Sequence, residues 1–148
     1  MTRKFVLDTN LYIGAIRDTD KEAALDAFLE RNAPVTFMSA VVIQELRAGA
    51  VTDASAHALD RGIFSVFERR GRVVGPSVNM FKDCGRILAA LYRRDGVSFR
   101  DRPRSLVNDI LIAGTCRENG MTLVTDDSDF KTIRLFMRGF AFTSPWPS

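Results

Sequence analysis

Acidic residues stand in this sequence where apolar runs end. The stretch "KFVLDTN" (4–10) carries Phe5, Val6 and Leu7 straight into Asp8. The stretch "TLVTDDSDF" (122–130) carries Leu123 and Val124 into Asp126, Asp127 and Asp129. Two further acids are conspicuous by helical arithmetic. Glu45 follows Val41 by four residues and precedes Ala48 by three, which puts it on the same face of an expected helix. Asp109 precedes Ile112, Ala113 and Cys116 by three, four and seven, and continues that apolar face at the first turn of its expected helix.

Each acid has an ordinary explanation. Asp8 can cap a helix, Asp126 and Asp127 can form a turn, Asp109 can favour a helix dipole, and Glu45 can reach solvent. Together they are harder to dismiss. Four separate segments place carboxylates beside core faces, with no adjacent Lys or Arg to pair them. Carboxylates crowded without a cation repel, and some must stay protonated. Mg²⁺ or Mn²⁺ resolves the conflict, because both prefer oxygen ligands and are held by few carboxylates while keeping several waters. Such an ion can polarise a phosphoryl oxygen and orient a water.

Other chemistries fit less well. His57 is the only histidine, in the polar stretch "DASAHALD", so a Ser/His/Asp or Cys/His hydrolase has little to build on. No GxxxxGK[ST] loop and no GxGxxG fingerprint occurs. A phosphatase using Asp8 as nucleophile would want an acid two positions on, where Asn10 stands. Cys84 and Cys116 show neither metal spacing nor a disulfide framework, and read as two buried thiols.

The elements that would position the acids alternate between strand and helix. Strands are expected at 4–8, 35–38, 72–75 and 121–125, with "FAFT" (140–143) as a further edge strand. Helices are expected at 10–16, 20–32, 40–49 behind a Ser39 cap, 53–70, 78–94 and 106–119. In the 53–70 helix, Leu59, Ile63, Val66 and Phe67 form the apolar face. This order predicts an α/β fold whose central, mostly parallel sheet has four or five strands flanked by helices. The strands at 4–8 and 121–125, apolar throughout, suit its buried centre. Ligands of such sheets bind beyond the carboxyl ends of the strands, where Asp8 and the 126–129 acids fall.

Length and composition suit one domain over residues 1–148, with about 144–148 a tail. The chain has 148 residues, 46% of them hydrophobic, and a net charge of +3. No apolar window approaches a membrane span, so a soluble, cytoplasmic protein with no membrane contact is expected. Basic residues gather at Arg69-Arg70-Arg72, Arg93-Arg94 and Arg100-Arg102-Arg104. Beside a concentrated acidic site they suit an anionic ligand, or simply solvated helix ends. Phe64, Phe67, Phe81 and Phe99 read as core or dimer contacts rather than base-stacking platforms. Trp146, between prolines, is either exposed or in an interface.

The segments "VLDTN", "SAVVIQE" and "NDILIAGTCRENGMTLVTDDSDF", in this order, resemble PIN-domain ribonucleases, and among them the VapC-type toxins of bacterial toxin–antitoxin pairs. The resemblance spans nearly the whole chain. It implies that Asp8, Glu45, Asp109 and an acid of "TDDSDF" bind metal; Asp127 and Asp129 match acidic positions there, and Asp126 falls in a more variable slot. Thr9, Asn10 and Thr125 match small polar positions that steady the carboxylates. The resemblance further implies Mg²⁺- or Mn²⁺-dependent endoribonuclease activity, a homodimer, and a VapB-like antitoxin whose C-terminal segment lies across the active site. The reading from a different class is a PIN-like module that binds an antitoxin or nucleic acid without cutting.

Overall fold

The computed structural model describes residues 2–148. At its centre is a five-stranded sheet of β1 (Phe5–Leu7), β2 (Thr36–Ser39), β3 (Val73–Val74), β4 (Thr122–Val124) and β5 (Ala141–Thr143), in the order β3-β2-β1-β4-β5. Every pairing is parallel, with Phe5 opposite both Thr36 and Thr122. The expected fold class therefore holds, and "FAFT" does supply the edge strand β5. Val6, Leu7, Leu123 and Val124 are buried almost completely, as befits strands covered on both faces.

Helices α1 (Thr9–Arg17), α2 (Thr19–Asn32), α3 (Ala40–Gly49), α4 (Asp53–Leu59), α5 (Ser65–Glu68), α6 (Val78–Asp95), α7 (Arg104–Glu118) and α8 (Phe130–Phe136) flank the sheet. The chain builds outward from β1 to β2 and β3, then returns through α6 and α7 to lay β4 on the other side of β1. The strand order reverses between β1 and β4. In open parallel sheets that reversal opens a crevice at the carboxyl ends. Helix α7 closes on this centre, with residues 110–116 all buried. Its Gly114 lets α6 approach: a Cβ there would lie 1.9 Å from the Met80 sulfur.

The structure departs from expectation in four places. The 53–70 helix is interrupted by a π-turn over Asp60–Phe64. The extra residue per turn rotates the face, so Phe64 is buried at 2% exposure while Val66 is 44% exposed. Helix α7 begins at Arg104, directly after Pro103, rather than at 106. Asp109 thus lies in its second turn, beyond the reach of the dipole explanation. Helix α8 was not anticipated. Its buried Phe130 and Ile133 are three residues apart, but Lys131 and Arg134 obscure the stripe. Ala48 is exposed, so the inner face of α3 runs through Val41, Val42 and Leu46, with Glu45 half-buried at its border.

Both thiols are free and buried. The ring of Trp146 lies 5.1 Å from that of Phe28, which anchors the C-terminal segment to α2. No helix among the described residues is long and apolar enough to cross a membrane.

Candidate active site

The crevice at the switch point is where the acids meet. Asp8 continues the sheet ladder by one bond, its N–H donating to the Val124 carbonyl at 3.0 Å. Its side chain is 4% exposed and doubly held. Oδ1 accepts from the Thr9 N–H at 2.8 Å, which makes Asp8 the N-cap of α1, and Oδ2 accepts from the Thr125 hydroxyl at 2.7 Å. The cap explanation holds for this residue, and the same residue stands in the acid cluster. Burial pushes the carboxyl up to about 6, against the lowering effect of the Thr125 and Thr9 hydrogen bonds. Charges on Asp127 and Glu45 add to the rise.

Glu45 is held from two elements. The Thr9 hydroxyl donates to Oε1 at 2.7 Å, and the Asn108 amide of α7 donates to Oε2 at 3.3 Å. Asn108 was not singled out from the sequence, although it stands beside Asp109 in "NDILIAG". Nothing in the local pattern shows that α3 and α7 come close enough for this contact. Thr9 and Thr125 serve the carboxylates as expected. Asn10 does not: its side chain is exposed and makes no hydrogen bond among the described residues.

Asp109, Asp127 and Asp129 form the second half of the cluster, each offering a carboxylate oxygen within 4.8 Å of the others. The loop after β4 folds them inward. The Asp127 N–H donates to the Thr125 hydroxyl at 3.0 Å, and the Asp129 N–H to Asp127 Oδ1 at 2.9 Å. Asp126 is exposed and stands outside the group. The Asp109 carboxyl is pushed up to about 8, first by burial, then by charges on Asp8, Asp127, Glu45 and Asp129. The charges of the other four acids thus converge on Asp109. Among the described residues no Lys, Arg or His forms a salt bridge with any of them.

This donor set suits a hard divalent cation. It is all oxygen, it carries excess negative charge in a half-buried crevice, and three of its oxygens lie close enough to share one ion. Softer metals would want Cys or His, and neither is present in the cluster. Of the nearby basic loop, Arg102 is committed to Asp95 at 2.6 Å, while Arg100 and Arg104 are exposed. His57 is exposed on α4. Phe64 and Phe67 are core residues, whereas Phe81 and Phe99 are more than half exposed.

Comparison with known proteins bears on the whole chain. Solved structures share the fold along its length. A DNA-bound VapBC from Salmonella typhimurium superposes with a TM-score of 0.69 at 23% identity, covering 97% of this chain and 98% of that one. FitAB bound to the IR36 DNA fragment gives 0.67 at 19% identity, covering 97% and 96%. FitAcB from Neisseria gonorrhoeae gives 0.64 at 19%, covering 97% and 99%. No curated protein matches the chain. The family model of the PIN domain matches residues 5–135, and the chain belongs to that family.

Proposed function

We propose that this protein is a Mg²⁺- or Mn²⁺-dependent endoribonuclease that serves as the toxin of a toxin–antitoxin pair. The observation that carries the reading is the cluster of five carboxylates, set at the switch point of a PIN-family sheet, that no Lys, Arg or His side chain pairs among the described residues. Asp8, Glu45, Asp109, Asp127 and Asp129 would hold the ion, the last three each bringing an oxygen within 4.8 Å of the others. When bound, the ion polarises the phosphoryl group and activates water for hydrolysis of an RNA phosphodiester bond. The chain's own part is positional. Thr125 and the Thr9 N–H fix Asp8, Thr9 and Asn108 fix Glu45, and Thr125 ties the Asp127 loop to Asp8. Asp109 supplies the charge that the fold leaves least compensated.

Two apolar clefts support the partner half of the reading. One, of about 230 Å³, lies between α1, α2 and the π-turn, and is lined by Tyr12, Ile16, Leu25, Leu29 and Ile63. It suits an apolar segment of an antitoxin, as the paired names VapBC and FitAB suggest. The other surrounds the exposed Phe81, Tyr92 and Phe99, and suits a homodimer contact. An RNA substrate implies a cytoplasmic location.

The test is RNA cleavage by the purified protein with Mg²⁺ or Mn²⁺, then with excess EDTA, beside Asp109→Asn. Cleavage that needs metal and is lost in the variant supports the reading. Equal cleavage by both proteins identifies a contaminating ribonuclease. Absence of cleavage on a broad RNA pool favours a binding module.

A further inference from the structure

Two clefts adjoin the acid cluster. On the Asp109 side, a cleft of about 240 Å³ is lined by Ser105, Thr132, Asp109 and Asp129, with Pro103 and Leu106. On the Glu45 side, a cleft of about 300 Å³ is walled by Ile13, Ile16, Leu46, Leu59 and Ile63. Glu45 forms part of this second wall, so the cleft opens on the cluster itself. Arg17, at the end of α1, stands on its rim, exposed and in no salt bridge among the described residues.

We propose that the apolar cleft between α1, α3 and α4 receives one unstacked nucleobase of single-stranded RNA, with Arg17 on that nucleotide's phosphate. The inference rests on the nuclease reading and adds the way in which that substrate is held. A strand whose scissile phosphate sits on the carboxylates must send one neighbouring nucleotide to each side. Ribose and phosphate are polar and stay hydrated, whereas a base has apolar faces. The smaller cleft beside Asp109, lined by Ser105, Thr132 and two acids, suits the sugar; the cleft beside Glu45, mainly aliphatic with Ser55 its one hydroxyl, suits the base. Its volume is at the lower end of the ~300–1,000 Å³ of small-ligand sites, enough for one base and little more.

Two consequences follow from the lining. A base stacked in a duplex cannot enter, so the substrate is a loop or a single strand whose bases are splayed out. No aromatic ring lines the cleft, so the base is gripped between aliphatic side chains. The cleft also shares Ile16 and Ile63 with the neighbouring cleft assigned above to an antitoxin. A partner seated there would cover the base site as well.

The experiment compares binding of a short single-stranded RNA with binding of an abasic ribose-phosphate strand of equal length, with Ca²⁺ replacing Mn²⁺. Wild type is expected to prefer the normal strand by about tenfold, which corresponds to removing about 55 Å² of apolar base surface from water at ~25 cal/mol per Å². Ala58 lines the cleft from an exposed position on α4, so Ala58→Trp plugs it without touching the core. Gly49 lines it from the end of α3 with open space at its Cβ position, so Gly49→Leu is a second plug. Both variants should bind the two strands equally. Arg17→Gln should weaken both strands alike, because a phosphate contact does not sense the base. Equal binding of the two strands by wild type overturns the proposal. So does a preference that survives both plugs. Cleavage with Mn²⁺ is measured separately: base preference without cleavage would sink the nuclease reading and keep the base cleft, and cleavage without preference would do the reverse.

Discussion

The two halves of the acid cluster are built differently. Asp8 and Glu45 are each held through both carboxylate oxygens, by groups from β1–α1, the β4 loop and α7. Asp109 accepts no hydrogen bond among the described residues, and Asp129 is exposed. Hydrogen bonding therefore orients the first pair without the help of an ion. It also offsets part of the cost of their burial, since a carboxylate that accepts donors favours its charged form. Asp109 has no such compensation and relies on a counter-charge. The difference shows in the carboxyls: Asp8, almost fully buried, is raised to about 6, while the less buried Asp109 is raised to about 8. Burial alone would order them the other way.

Asp109→Asn gives the largest expected effect, because it strikes the uncompensated half. Metal-dependent RNA cleavage should fall by about a thousandfold or more, within reach of a lost electrostatic contribution of about 4 kcal/mol. The metal-free fold should gain stability at neutral pH, with Tm rising by about 3–6 °C, since the cost of keeping that carboxyl protonated in the fold is removed. Asp8→Asn should abolish cleavage equally but raise Tm less, because Asp8 is already hydrogen-bonded. Scanning calorimetry in EDTA decides it. A larger gain from Asp8→Asn would mean that the hydrogen bonds do not compensate its burial.

Divalent cation and pH act on the same contrast. Both raised carboxyls release protons more readily unfolded than folded, so metal-free stability is full below about pH 4. It falls as pH climbs through about 6 and about 8. Mn²⁺ should remove most of that fall by binding the folded state. Thermal melts from pH 5 to pH 9, with and without Mn²⁺, should diverge progressively. Parallel curves would show that the acids do not share an ion. In Asp109→Asn the metal-free decline should be shallower and end near the Asp8 value.

These contrasts were only half legible in the sequence. The apolar runs 5–7 and 122–124 announced buried strands, and the acids after them announced the crevice, because strand ends in a parallel sheet have a defined chemistry. Helix periodicity placed Glu45 and Asp109 beside core faces without showing how far either was buried. The π-turn at 60–64 was invisible to a search that assumes 3.6 residues per turn throughout. Helix α8 was too short and too charged to announce itself. Asn108 reads as an ordinary polar residue until α3 and α7 pack together, so its contact with Glu45 is purely tertiary information.

Removing the supports should cost cleavage less than removing the acids, but unlike the acid replacements it should also cost stability. Thr125→Val takes the hydroxyl from Asp8 Oδ2 and an acceptor from the Asp127 N–H, and should cost about 1–3 kcal/mol of stability by leaving buried polar groups unpaired. Asn108→Ala leaves Glu45 its Thr9 bond and should cost under about 1 kcal/mol, with a severalfold loss of cleavage. Urea titration ranks the two. A cost for Asn108→Ala equal to that of Thr125→Val would make the α3–α7 contact as important as the Asp8 anchor.

Asp126→Asn should do almost nothing, and that makes it the sharpest control. Asp126 neighbours Asp127 in sequence and carries the same charge, yet it is exposed, and it is missing from the charges that raise Asp8 and Asp109. Solvent screens an exposed carboxylate from the crevice. Its replacement should leave stability within about 0.5 kcal/mol of wild type, as for other surface changes. Cleavage and Mn²⁺ affinity should also be unchanged, whereas Asp127→Asn should lower both. If Asp126→Asn weakened Mn²⁺ binding in a calorimetric titration and Asp127→Asn did not, the loop after β4 would have to turn the other way in the metal-bound protein. The division between held and open carboxylates would then be a property of the metal-free state alone.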